Sequence, residues 1–238
     1  MNRLAMMVLK NIFRVPYFYG KLCKYAKNPD AYSEAEKYAH IRRMLQYAVT
    51  GGNVDLQVHG LENVPEQSGF VMYGNHQGMF DVVALVASMP TPISAVFKME
   101  LKDIPLIREI AACLKGLPMD RDNARQSLEV IREVTKELQA GRNYMIYPEG
   151  TRSKNGNVMG DFHHGSFRCA INAKCPILPV VVVDTYQVLD RKGSKPMTAH
   201  LYYLPPIQPE EYAGMKTQQL AEMVKARIQA CLDAHGCV

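Results

Sequence analysis

The sequence predicts an α/β domain with a mixed central sheet covered by helices, preceded by an N-terminal amphipathic helical element that associates with membrane. Three observations carry this expectation. From residue 53 onward, short strand-like runs alternate with helical patterns, as in a sheet with helices packed on it. Before that point, residues 1–27 hold Arg3, Lys10, Arg14, Lys21, Lys24 and Lys27 and no acidic residue. The 238 residues are 47% hydrophobic and 21% charged, which is enough apolar content for one sizeable core and outside the disordered range.

Taken in order, residues 2–25 read as one or two amphipathic helices. Leu4, Met7, Val8, Asn11, Ile12, Val15 and Tyr19 recur at spacings of three and four, with Arg3, Lys10, Arg14 and Lys21 on the other side. Pro16 kinks or divides the segment. A helix over 33–50 follows, with Ser33 as N-cap, Glu36 at the capping-box position, and Gly51-Gly52 as its end. These helices form a first unit, residues 1–52, placed at the membrane interface. Residues 53–238 form the α/β domain. Its strands are expected at 54–60, 70–75, 93–97, 144–150, 177–184 and 198–205, and its helices at 81–89, 123–140 and 216–235. Pro179 marks the 177–184 strand as an edge or bulged strand.

The net charge of +5 suits an anionic partner but does not separate nucleic acid, anionic lipid and phosphorylated substrate. Cys23, Cys113, Cys169, Cys175, Cys231 and Cys237 form no C-x-x-C pair or zinc spacing and read as reduced thiols. No apolar run reaches bilayer-spanning length, and the N-terminus lacks the pattern of a secretory signal.

Four constellations carry chemistry. In NHQGMFD, residues 75–81, His76 and Asp81 are five apart. On one helix, five residues turn about 500°, which leaves the two side chains roughly 140° apart. They meet only if His76 ends a strand, Gln77-Gly78 turns, and Asp81 opens the next helix. A carboxylate on one imidazole nitrogen fixes the tautomer and frees the other nitrogen to take a proton. No serine or cysteine stands nearby, so the hydroxyl to be activated belongs to the substrate. The competing reading makes Asp81 a helix cap and His76 a turn residue, and the spacing alone does not decide between them.

In YPEGTRS, residues 147–153, backbone amides beside Gly150, the Thr151 hydroxyl and the Arg152 fork suit a phosphate. Glu149 is placed to accept from glycerol hydroxyls or to orient Arg152. A charged surface turn with a Glu149–Arg152 pair is the competing reading. In GLPMDR, Gly116 and Arg121 frame a short apolar run, and Arg121 offers a second guanidinium. The fourth is ILPVVV, residues 177–182, around Pro179.

In this order the four blocks resemble the glycerolipid acyltransferase family: N-H-x-x-x-x-D at 75–81, G-x-x-x-x-R at 116–121, P-E-G-T-R-S at 148–153 and I-x-P-V-V at 177–181. The resemblance covers roughly residues 55–205. It implies acyl transfer from acyl-CoA or acyl carrier protein to a lysophospholipid, with the sn-2 hydroxyl of 1-acylglycerol 3-phosphate as acceptor and phosphatidic acid as product. It implies His76 as general base and Asp81 as its orienting partner. Arg121 and Arg152 would hold the acceptor phosphate, with Glu149, Gly150 and Thr151 shaping that pocket and Lys98 as a further phosphate contact. Asn75, Gly116 and Pro179 give structural support. Backbone amides near Gly150 are one option for the oxyanion, and the stretch 79–119 is expected to build the acyl groove. No metal or resident cofactor is required and no nucleic-acid partner is implied. The enzyme would work peripherally at the cytoplasmic face of an anionic membrane. The sequence departs from the family pattern at FHHGSF, where His163 and His164 stand in places the family often gives to lysine. Two other classes stay open: a lipid ester or thioester hydrolase, and a non-catalytic lipid-binding protein. Among acyltransferases, other lyso-lipids and glycerol 3-phosphate are rival acceptors.

Overall fold

The computed structural model describes residues 2–191 and 193–235, so Cys237 lies outside the described residues. The central element is a seven-stranded sheet. Its strands are β1 (Val54–His59), β2 (Val71–Gly74), β3 (Ile93–Lys98), β4 (Leu117–Met119), β5 (Asn143–Ile146), β6 (Ile177–Val183) and β7 (Met197–Tyr203). Their spatial order is β1-β7-β6-β2-β5-β3-β4. All neighbours are parallel except β6 and β7, so the sheet is mixed, as expected.

Strands β2, β5 and β6 are buried along their whole length, which explains their unbroken apolar runs. Alternate side chains feed two cores, one on each face of the sheet. Met72, Met145, Leu178 and Val180 pack with Leu22, Tyr25, Ile41 and Leu85 on one side. Val71, Tyr144, Ile177 and Val181 pack with Val134, Leu138, Val224 and Ile228 on the other.

The first face is covered by α1 (Arg3–Lys10), α2 (Val15–Lys27), α3 (Glu34–Gly51), α4 (Phe80–Ser88) and α5 (Ile107–Leu114). The second is covered by α6 (Ala124–Gln139), α7 (Arg168–Ala173) and α9 (Thr217–Ala234); the short α8 (Tyr186–Leu189) follows β6. Ser33 caps α3 as expected, its hydroxyl accepting from the Glu36 amide at 3.1 Å.

Three expectations need correction. The N-terminal helices are not an element set apart at residue 52. Met7, Leu22, Tyr25, Tyr38 and Ile41 lie in the same core as Phe70 and Met72. Arg3 does not face outward with the other cations. It is buried and donates to the carbonyls of Val188 (3.0 Å), Gly52 (3.1 Å) and Lys195 (3.0 Å). Three carbonyl partners replace the water that the guanidinium gives up. Pro179 is neither on an edge strand nor at a bulge of its own strand. Its carbonyl accepts from Leu204 at 3.0 Å, and Ile177 exchanges both backbone bonds with Ile207. The two residues between Leu204 and Ile207 are Pro205 and Pro206, so the partner segment bends away where Pro179 has no N–H to give.

Most of the N-terminal apolar stripe stays uncovered. Leu4, Val8, Leu9, Ile12, Val15 and Tyr17 are exposed, and Phe13 is 96% exposed. A contiguous apolar surface of this kind ordinarily marks an interaction site.

Candidate active site

Parallel strands β2, β5 and β6 bring their C-terminal ends to one edge of the sheet, where open α/β sheets place their ligands. The end of β2 supplies Asn75 and His76. The end of β5 supplies Tyr147 and Glu149. The end of β6 supplies Thr185.

The β2 end is built by local chemistry. The Asn75 side chain extends the strand pairing, accepting from the Val182 amide and donating to the Val182 carbonyl, both at 2.9 Å. The chain then turns at Gln77-Gly78 and enters α4. Gly78 lies against α8: a Cβ there would sit 2.5 Å from the Asp190 carboxylate and 3.0 Å from the Tyr186 backbone. That close approach admits only glycine.

His76 and Asp81 meet through this strand–turn–helix layout. The His76 Nδ1 lies 2.7 Å from Asp81 Oδ2. A carboxylate only accepts, so Nδ1 carries the hydrogen and Nε2 is the lone-pair nitrogen. Asp81 is wholly buried, and three more donors hold it: the Gln77 amide at 2.6 Å, the Gly78 amide at 3.0 Å and the Thr185 hydroxyl at 2.5 Å. The Tyr147 ring stacks on the imidazole with centroids 4.1 Å apart. The imidazole thus has its tautomer, its plane and its carboxylate partner all set.

Glu149 plays a different part from the one expected. Its two oxygens accept from the backbone amides of His76 and Gly160, both at 2.7 Å, so it fixes the His76 backbone and does not orient Arg152. Burial pushes its carboxyl above the usual range, and the two amides oppose that rise. The Gly150 amide donates to the Tyr147 carbonyl at 3.1 Å and is therefore turned into the loop rather than toward an oxyanion. Thr151 is exposed on the same loop.

The two arginines do not meet. Arg121 lies beside Gly150, whose φ of +68° opens room that a side chain would fill: a Cβ there would sit 3.0 Å from the His163 ring and 3.8 Å from Arg121 Cδ. Arg121 makes no hydrogen bond or ion pair among the described residues; partial burial lowers its pKa, and the Glu100 carboxylate opposes that through space. Arg152 instead reaches the Asp190 carboxylate at 3.1 Å, beside Gly78. That pair is half exposed and open to displacement, since such pairs contribute little. Lys98 is exposed and paired with Glu100 at 2.5 Å. Gly116 ends α5 and packs against Phe97, supporting the strand that leads to Arg121.

A groove of about 360 Å³ opens here. Val96, Met119, Leu128 and Ile131 give it an apolar wall, Arg121 and Arg168 give it cations, and His163 lines it too; Tyr147 lies between that groove and His76. Of the stretch 79–119, expected to line an acyl groove, Val96 and Met119 do so; Phe80, Leu85, Met89 and Ile93 are core. Sequence reasoning missed Thr185, the Asp190 partner of Arg152, and α6 as the source of Leu128 and Ile131. Among the described residues no cluster of three or more His, Cys, Asp or Glu side chains has metal-binding geometry.

Residues 55–183 match the protein-family model described as Acyltransferase. The 1-acyl-sn-glycerol-3-phosphate acyltransferase alpha of Mus musculus is 27% identical over 190 residues, covering 78% of this chain and 66% of the relative. The 1-acyl-sn-glycerol-3-phosphate acyltransferase of Pseudomonas aeruginosa is 35% identical over 125 residues, covering 52% of this chain and 48% of the relative. The chain thus spans just under two thirds or less of the length of these relatives. Among solved structures, the 1-acyl-sn-glycerophosphate (LPA) acyltransferase PlsC from Thermotoga maritima has the same fold. It superposes with a TM-score of 0.75 at 20% identity, covering 98% of this chain and 96% of that one.

Proposed function

The chain belongs to the acyltransferase family, and we propose that it moves a fatty acyl group from acyl-CoA or acyl carrier protein to the sn-2 hydroxyl of 1-acylglycerol 3-phosphate, giving phosphatidic acid. The observation that carries this reading is the His76–Asp81 pair standing beside a groove with one apolar wall and an arginine whose hydrogen bonds are unmade among the described residues. The relatives named above as 1-acyl-sn-glycerol-3-phosphate acyltransferases support the acceptor.

In this reading the acceptor's phosphate sits against Arg121, and the apolar wall takes an acyl chain. His76 Nε2 removes the proton from the acceptor hydroxyl as its oxygen attacks the thioester carbonyl carbon. Asp81 stabilises the imidazolium that forms. The tetrahedral adduct collapses, the C–S bond breaks, and the imidazolium gives its proton to the departing thiolate. Acid and base are one imidazole, so the scheme needs no resident metal or cofactor. Arg152, released from Asp190, is a second phosphate contact.

The enzyme works attached peripherally to the cytoplasmic face of the membrane. The uncovered apolar residues of α1 and α2 support this, together with the cations Lys10, Arg14, Lys24 and Lys27 around them. No described helix is long and apolar enough to cross a membrane.

The test is an acyl-transfer assay on purified protein with anionic vesicles. It sets a panel of acceptors (1-acylglycerol 3-phosphate, lysophosphatidylcholine and glycerol 3-phosphate) against both donors. The expected result is phosphatidic acid as the dominant product with either thioester. Preference for an acceptor without a phosphomonoester would overturn the acceptor assignment, and release of free fatty acid alone would make the protein a hydrolase.

A further inference from the structure

On the N-terminal side of the dyad residues, a cleft of about 710 Å³ runs between α2 and α3, and none of its lining residues lines the groove beside His76. Its floor is uncharged. The Phe18 ring lies 5.0 Å from that of His40 and 5.7 Å from that of Tyr47. His40 donates from Nε2 to the Phe18 carbonyl at 2.9 Å, and burial holds its imidazole below the usual range.

The rim is cationic. Arg14, Lys21, Arg42 and Arg43 share the cleft with a single carboxylate, Glu36. Three of the four cations already have protein partners. Arg42 donates to the carbonyls of Ala87 and Ser88 at the end of α4, both at 3.3 Å. Arg14 lies 4.5 Å above the Tyr47 ring and donates to Asn11. Lys21 lies 5.3 Å above the Tyr25 ring and stands 3.9 Å from Glu36, a loose pair. Arg43 is the open one, with no hydrogen-bond or ion-pair partner among the described residues. Cations gathered around a neutral floor repel one another until an anion enters.

One side of the cleft is apolar. Tyr17, 62% exposed, lines it, and Phe13 and Val15, the chain neighbours of the lining residue Arg14, are exposed as well. A free inorganic anion would gain nothing from those side chains. A molecule with an anionic head and apolar tails would use both.

We infer that this cleft binds the phosphodiester headgroup of one anionic phospholipid, with Arg43 on the phosphate, Lys21 beside it, and the acyl chains leaving past Tyr17. This rests on the peripheral membrane attachment proposed above and adds to it a discrete ligand site. A diffuse basic surface responds to charge density alone; a site of this kind saturates with single lipid molecules.

The test uses the full chain and a lipid too short to form vesicles, dihexanoylphosphatidylglycerol, titrated below its micelle concentration by calorimetry. The native protein should show one saturable site. Arg43→Ala should weaken it about tenfold or more, as the loss of a charge-assisted hydrogen bond does, with acyl transfer to detergent-dispersed acceptor unchanged. Dihexanoylphosphatidylcholine, with the same chains and no net charge, should bind at least tenfold more weakly. Inorganic phosphate binding as tightly as the lipid would overturn the lipid assignment. Equal binding of the short lipid by native protein and Arg43→Ala would overturn the site itself. Flotation with long-chain vesicles containing phosphatidylglycerol separates the two readings. Native vesicle binding without an Arg43-dependent short-lipid site leaves the membrane reading standing and sinks the cleft. An Arg43-dependent short-lipid site without vesicle binding supports the cleft and sinks the membrane reading.

Discussion

Asp81 and Arg121 stand on either side of Tyr147 and are held in opposite ways. Four donors converge on the buried Asp81 carboxylate: an imidazole, two backbone amides and the Thr185 hydroxyl. Arg121 makes no hydrogen bond or ion pair among the described residues, though the Glu100 carboxylate acts on it through space, and its neighbours at the groove are a glycine, a histidine and an apolar wall. The difference matches the parts proposed for the two groups. A base must keep its tautomer and aim without help from substrate, so the fold satisfies its partner completely. A group that receives a phosphate gains most if the protein leaves its hydrogen bonds unmade, because nothing is lost when the ligand arrives. Arg152 stands between these extremes, tied to Asp190 by an exposed pair that a ligand can displace.

The largest effect should come from the satisfied side. His76→Ala should lower kcat by about a hundredfold to ten-thousandfold, with circular dichroism unchanged. Near-native turnover in a folded His76→Ala protein would break the comparison at once. On the open side, Arg121→Ala should raise the KM for 1-acylglycerol 3-phosphate about tenfold to a hundredfold, since one charge-assisted contact contributes about 1.5–3 kcal/mol. The KM for the acyl donor should hold.

Thr185→Val sharpens the comparison further. It leaves one oxygen of a fully buried carboxylate without its hydroxyl donor, at a cost of about 1–3 kcal/mol in stability. The Nδ1 bond to the other oxygen survives, so kcat should fall by about tenfold or less while the melting temperature drops measurably. An unchanged melting temperature would mean that the hydroxyl is incidental.

The smallest effect concerns pH. Burial raises the Glu149 carboxyl above its ordinary value of about 4.3. The folded protein therefore binds that proton more tightly than the unfolded chain. The resulting stability is fully present below about pH 4.3 and is lost as pH rises through the raised folded value. Glu149→Gln cannot titrate, so its stability relative to the native protein should change across that window. Parallel melting curves for the two proteins from pH 4 to 7 would show that Glu149 does not titrate differently on folding.

What was legible in the sequence was local. The His76–Asp81 meeting needs only a strand end, a glycine turn and a helix start within seven residues, and all three are written in NHQGMFD. The buried strands were legible as apolar runs, and the cap of α3 as Ser33 with Glu36. What escaped depends on distance along the chain. Thr185 reaches Asp81 across 104 residues, and no spacing rule links them. The Arg152–Asp190 pair is likewise nonlocal. Arg3 shows a second limit. Periodicity sets it opposite the stripe that includes Met7, yet Arg3 is buried together with Met6 and Met7, because only tertiary packing decides which face of α1 turns inward. Among the missed elements, the three residues of β4 and the four of α8 fall below the length at which any period can be read, whereas α5, eight residues long like α1, was missed although it is long enough.

The division of labour between Asp81 and Arg121 is tested most directly by steady-state kinetics of Asp81→Asn and Arg121→Ala side by side, varying 1-acylglycerol 3-phosphate at saturating donor. The prediction is a split. Asp81→Asn should lose at least a hundredfold in kcat at a nearly native KM, because the imidazole loses its tautomer and its counter-charge. Arg121→Ala should keep most of kcat and lose its grip on the acceptor through KM. The same pattern in both variants, whether both in kcat or both in KM, would contradict the account.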